Sequence, residues 1–126
     1  MMRGNSPTRK VLIIENDPEV RNVIYVLLAG MECESEVSHG LRSALIRIKE
    51  TSFDAVLLDL RCSDEAPEQA LSQIKDARPS LVGRVLVITG EVTSPGVFEA
   101  IERQCLPQVP RQHLTLHLTT AIKAMF

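Results

Sequence analysis

Short apolar runs alternate with amphipathic stretches along the chain. Val11-Leu12-Ile13-Ile14, Ala55-Val56-Leu57-Leu58 and Val85-Leu86-Val87-Ile88 are uninterrupted. Runs this short and this apolar predict strands buried on both faces, over Lys10–Ile14, Ala55–Asp59 and Arg84–Thr89. Between them the apolar positions fall at helical spacing. Val20, Val23, Ile24, Leu27 and Leu28 share one face and predict a helix over Pro18–Ala29. Asp17 is its N-cap and Pro18 its first position. Leu41, Ala44, Leu45 and Ile48 predict a helix over Leu41–Glu50. Leu71 and Ile74 carry another over Glu68–Ala77, which Pro79 stops. Ser94-Pro95 repeats the start signal for a helix to about Arg103. Leu114, Leu118, Ala121, Ile122 and Met125 predict a closing helix over Pro110–Met125. Two weaker strands complete the pattern. Cys33–Val37 has the alternating glutamates of an edge, and Cys105–Val109 is a short fifth strand.

Five strands alternating with five helices imply right-handed βαβ units. The fold class is α/β, a doubly wound parallel sheet covered on both faces. Such sheets bind ligands beyond the carboxyl ends of their strands, near the switch in strand order. Glu15, Asn16, Asp59 and Thr89 all fall at those ends. Carboxylates gathered there make a site for a hard cation, and one of them can act as a nucleophile.

Composition narrows the classes. A chain of 126 residues is one domain and can bury a core without staples. Residues 10–126 form that domain, and the polar residues 1–9 are a flexible lead-in without the apolar centre of a signal peptide. No apolar stretch is long enough to span a membrane. A formal net charge of −2 gives no footprint for nucleic acid, and only 3% aromatic residues leave no stacking platform. Cys33, Cys62 and Cys105 lack zinc-ligand or redox spacing and read as reduced thiols of a cytoplasmic protein.

Val11–Arg21, Phe53–Leu60 and Val85–Gly90, in this order and separation, resemble the receiver domain of two-component response regulators. The likeness spans roughly residues 10–125. It implies a flavodoxin-like (βα)5 sandwich with strand order 2-1-3-4-5. It places Glu15 and Asn16 on an acidic pair, Asp59 on the phosphoacceptor and Thr89 on a switch hydroxyl. Mg2+ would be held by Glu15, Asn16, Asp59 and the backbone carbonyl of Arg61. The partners implied are a histidine kinase or phosphotransfer protein and a downstream protein, or an output domain of a longer chain. Such a domain signals and is not an enzyme. Its usual output face, also a homodimer face, is built by the last two helices and the fifth strand.

The departures from that pattern shape the expectation. Asn16 stands where the second acid would be. The lysine expected after the fifth strand falls on Val109, or on Gln108 after a shift of one. Leu60-Arg61-Cys62-Ser63 lacks the usual proline. A weakened Mg2+ site and slower phosphorylation follow, and a pseudo-receiver that works without phosphate is the alternative. Arg61 either folds over the site as a replacement cation, pairs with Glu15 or Asp59 as a standing counter-ion, or is a solvated loop residue. Two other chemistries fail on residue type. An aspartate-nucleophile phosphatase needs an acid where Arg61 stands, and a flavin site needs a phosphate cradle where Glu15-Asn16-Asp17 stand. His113 and His117 are four apart on a helix, but with no third ligand they read as a solvated face. His39 and Cys62 read as ordinary loop residues, and Asp17 as a cap.

Overall fold

The computed structural model describes residues 8–62, 67–90, 99, 102, 103 and 106–126. The strands are β1 (Lys10–Ile14), β2 (Glu34–Ser38), β3 (Ala55–Asp59), β4 (Val85–Thr89) and β5 (Gln108–Pro110). All pair in parallel, in the order β2-β1-β3-β4-β5. The helices fully within the described residues are α1 (Pro18–Gly30), α2 (Leu41–Glu50), α3 (Pro67–Ala77) and α4 (Leu114–Met125). The helix expected from Ser94-Pro95 to about Arg103 lies largely outside the described residues, although Glu99, Glu102 and Arg103 are helical. The expected lead-in lies outside them as far as residue 7.

The three apolar runs become the three central strands, with β3 and β4 buried throughout. Alternate residues feed two separate cores. Val11, Ile13, Leu57, Leu86 and Ile88 pack with Val20, Ile24 and Leu28 of α1 and Leu114, Leu118 and Ile122 of α4. Leu12, Ile14, Val56, Leu58 and Val85 pack with Leu41, Ala44 and Ile48 of α2 and Ala70, Leu71 and Ile74 of α3. The helical faces read from the sequence are the faces buried here.

The boundaries differ from expectation at the two edge strands, for identifiable reasons. β2 starts at Glu34 because Cys33 still belongs to the turn that closes α1. Its N–H donates to the Leu28 carbonyl at 3.0 Å, after Glu32 has turned the chain at φ 60°. β5 lies later than expected, at Gln108–Pro110, and only Val109 of its three residues is buried. Its register sets Gln108 beside Val87, Val109 beside Ile88 and Pro110 beside Thr89. An outer strand tolerates the missing N–H of Pro110. The chain then makes a 3₁₀ turn, Arg111–His113, before α4 begins at Leu114.

Candidate functional site

β1, β3 and β4 deliver Glu15, Asp59 and Thr89 to the same edge of the sheet. The apolar runs before them fill both cores, so the first polar residue of each run lands at the rim. All three side chains are almost wholly buried, at 0%, 1% and 6% exposure. Asn16 follows Glu15 and is exposed. Asp17 is the expected cap of α1, its Oδ1 accepting from the Glu19 N–H at 3.0 Å.

Glu15 is held by its own turn. Its Oε1 accepts from the backbone N–H groups of Asn16 at 3.0 Å and Asp17 at 3.1 Å. Its Oε2 is buried without a hydrogen-bond partner among the described residues. Burial, reinforced by the neighbouring Asp59 carboxylate and opposed by the two N–H groups, pushes the Glu15 pKa up to about 7.

Asp59 is electrostatically the reverse case. Its Oδ1 accepts from the Arg61 N–H at 2.9 Å and from Arg61 Nε at 3.2 Å. Its Oδ2 accepts from Arg61 Nε at 3.0 Å and Nη2 at 2.8 Å. Burial pushes the carboxyl up, but the Arg61 side chain and backbone outweigh it, so its pKa lies below the ordinary carboxylate value. The Arg61 guanidinium also stands 3.7 Å from Glu15 Oε1 while remaining 57% exposed. Of the three roles open to Arg61 in the sequence, the geometry is that of a counter-ion across Glu15 and Asp59. The turn that brings it there is the 3₁₀ segment Leu60–Cys62.

A second cation reaches the site, and the sequence reading missed it. Arg111 Nη2 lies 3.4 Å from Asp59 Oδ2. It comes from the residue after Pro110, beyond Gln108 and Val109, where the pattern of the sequence places the cation. Because β5 runs to Pro110 rather than ending at Val109, the turn that carries the cation lies later in the chain. A long basic side chain just past the strand was the available signal. The guanidinium packs against Gly90, where an added Cβ would stand 3.9 Å from both Nη atoms.

Cys62 approaches the same cluster. One ligand atom from each of Glu15, Asp59 and Cys62 lies within 4.8 Å of the others. Burial, with the two carboxylates adding to it, pushes the Cys62 thiol up to about 11, which leaves it a neutral small side chain at ordinary pH. His113, at the end of the 3₁₀ turn before α4, and His117, on α4, are both exposed with their rings 6.0 Å apart, and no metal cluster among the described residues includes them. His39 is an exposed loop residue hydrogen-bonded to Arg21 at 3.1 Å.

A divalent cation fits these donors. The unpartnered, buried Glu15 Oε2 and the paired Asp59 carboxylate are hard oxygen ligands, and Arg61 supplies in the protein alone the positive charge that such an ion would bring.

The parallel strand order β2-β1-β3-β4-β5 with helices on both faces is the fold of response regulator receiver domains. The comparisons agree. A receiver domain of the CheY-like type from Methanospirillum hungatei superposes with a TM-score of 0.75 at 15% identity, over 94% of this chain and 97% of that one. NtrX from Brucella abortus gives a TM-score of 0.72 at 22% identity, over 94% of this chain and 28% of that one. Among curated proteins, the transcriptional regulatory protein ZraR of Klebsiella oxytoca is 26% identical over 96 residues. That match covers 76% of this chain, which spans only 21% of ZraR. No family model matches the chain.

Proposed function

We propose that this domain accepts a phosphoryl group on Asp59 from a histidine kinase or phosphotransfer protein and thereby switches a protein–protein interaction surface. The observation that carries the reading is the environment of Asp59. It is a buried carboxylate at a strand end, kept ionised by charge-assisted hydrogen bonds, with more positive charge around it than one carboxylate needs. Phosphoryl transfer asks a protein chiefly for positioning and charge neutralisation.

In the step itself, a lone pair on one Asp59 oxygen forms a bond to phosphorus. The donor's P–N or P–O bond breaks, and its electron pair leaves with the donor group. Arg61 must release the attacking oxygen, which its solvent exposure permits. Glu15, Asn16, Asp59 and the Arg61 carbonyl are the groups that would hold Mg2+, which supplies charge neutralisation when bound. Thr89 offers its hydroxyl to a phosphoryl oxygen. An open groove of about 590 Å3, lined by Asp17, Glu19, Val20, Arg111 and Thr115, adjoins the site and would receive the donor. Output would leave by β5 and α4, where Leu116 is exposed.

One observation favours the second reading, a pseudo-receiver that works without phosphate. Arg61 already satisfies both Asp59 oxygens. Incubation with a small acyl phosphate and Mg2+, followed by intact mass, separates the two. The expected result is one phosphoryl mass on the wild type and none on Asp59→Asn, with Arg61→Ala phosphorylated at least as fast. No added phosphoryl mass on wild type, Asp59→Asn or Arg61→Ala would leave the pseudo-receiver standing.

A further inference from the structure

We propose that Arg111 is the cation that grips the phosphoryl oxygens on Asp59, supplying from the turn after β5 the charge that Gln108 and Val109 cannot. The inference deepens the phosphoacceptor reading and rests on it.

Two observations carry it. First, Arg61 and Arg111 converge on one atom, Asp59 Oδ2, at 2.8 and 3.4 Å. One carboxylate cannot use two guanidiniums fully, and the longer contact exceeds the usual length of a charge-assisted hydrogen bond. Arg111 is therefore underemployed in the unmodified protein. Second, its Nε is buried with no hydrogen-bond partner among the described residues, and its side chain is only 23% exposed. A buried unpaired donor on a cation is costly and calls for an anionic acceptor.

A phosphoryl group on Asp59 would present three oxygens and added negative charge just beyond Oδ2. The planar guanidinium fork suits such oxygens, and it gives up no proton in doing so. The bond formed is the Asp59 oxygen–phosphorus bond described above, and Arg111 only neutralises the charge that arrives with it. Because Arg111 opens the 3₁₀ turn that leads into α4, its engagement acts directly on the start of that helix.

The test uses the full chain, an acyl phosphate donor and Mg2+. Wild type, Arg111→Gln and Arg111→Lys are compared by intact mass over time and by backbone amide NMR. Arg111→Gln is expected to accumulate phosphoprotein at least about tenfold more slowly. Its residual phosphoprotein should lose the shifts seen in wild type at Thr89 and residues 108–115. Arg111→Lys should recover both within a few-fold. Unmodified amide spectra of the two variants establish that they are folded. If Arg111→Gln matches wild type in rate and shifts, the proposal falls while the phosphoacceptor reading stands. If wild type itself gains no phosphoryl mass, that reading falls and takes this one with it.

Discussion

Glu15 and Asp59 are two carboxylates at neighbouring strand ends with opposite protonation behaviour, and this separates their effects on stability. Glu15 is an acid whose folded pKa, about 7, lies above its ordinary 4.5. Between these values the unfolded chain releases a proton that the folded protein keeps, so stability falls as pH rises through that window and levels off above it. The cost at full ionisation is on the order of 3 kcal/mol. Asp59 has the reverse sign. Its folded pKa is lowered, so its contribution is present above the ordinary carboxylate value and is lost as pH falls through the folded one. In buffer with a chelator, Glu15→Gln should unfold at the same urea concentration as wild type near pH 4.5 and at a distinctly higher one at pH 8. A wild type–variant difference that does not change with pH would contradict the buried-acid account. At this scale the sequence showed which polar residues close the central strands at one edge of the sheet, because Glu15, Asp59 and Thr89 each end an apolar run. It did not show their partners. The role of Arg61 depended on the direction its side chain takes from a 3₁₀ turn, and no periodicity encodes that.

Elements hold the site in place through contacts at their ends. The C-terminus of α2 is closed by a residue from beyond α3: Arg78 donates from Nε to the Ile48 carbonyl at 2.9 Å and from Nη2 to the Lys49 carbonyl at 3.1 Å. Carbonyls at a helix end have no partner within the helix, and a guanidinium there also meets the negative end of the helix dipole. Arg78→Ala should lower stability by about 1–2 kcal/mol in denaturant unfolding and leave phosphorylation of Asp59 unchanged. A shift below about 0.3 kcal/mol would mean that water replaces the guanidinium without loss. Strongly periodic helices were legible almost to the residue, since α2 matched its expected bounds. The edge strands were not. β5 has one buried residue, and its position is set by pairing with β4, a contact invisible to a pattern read along one strand.

At the scale of the whole molecule, the sheet is one partition shared by two cores. Leu57 and Leu58 are adjacent in β3, yet Leu57 packs with α1 and α4 and Leu58 with α2 and α3. Neither core can dissolve without dismantling strands the other needs. Leu57→Ala and Leu58→Ala should each cost about 2–5 kcal/mol and lower a single common transition seen by circular dichroism and by tyrosine fluorescence alike. Separate transitions for the two variants would mean that the layers fold independently. The parallel sheet was legible because its runs are buried on both faces, and the strand order came from the family resemblance. The same alternation governs how such a chain can change over time. Losing one residue inside β3 would not merely draw Asp59 back from its arginines. It would also send every following side chain of the strand to the wrong core. Gains and losses of residues are thus confined to the loops, and the distance of the acidic centre from the sheet is inherited together with the hydrophobic interior.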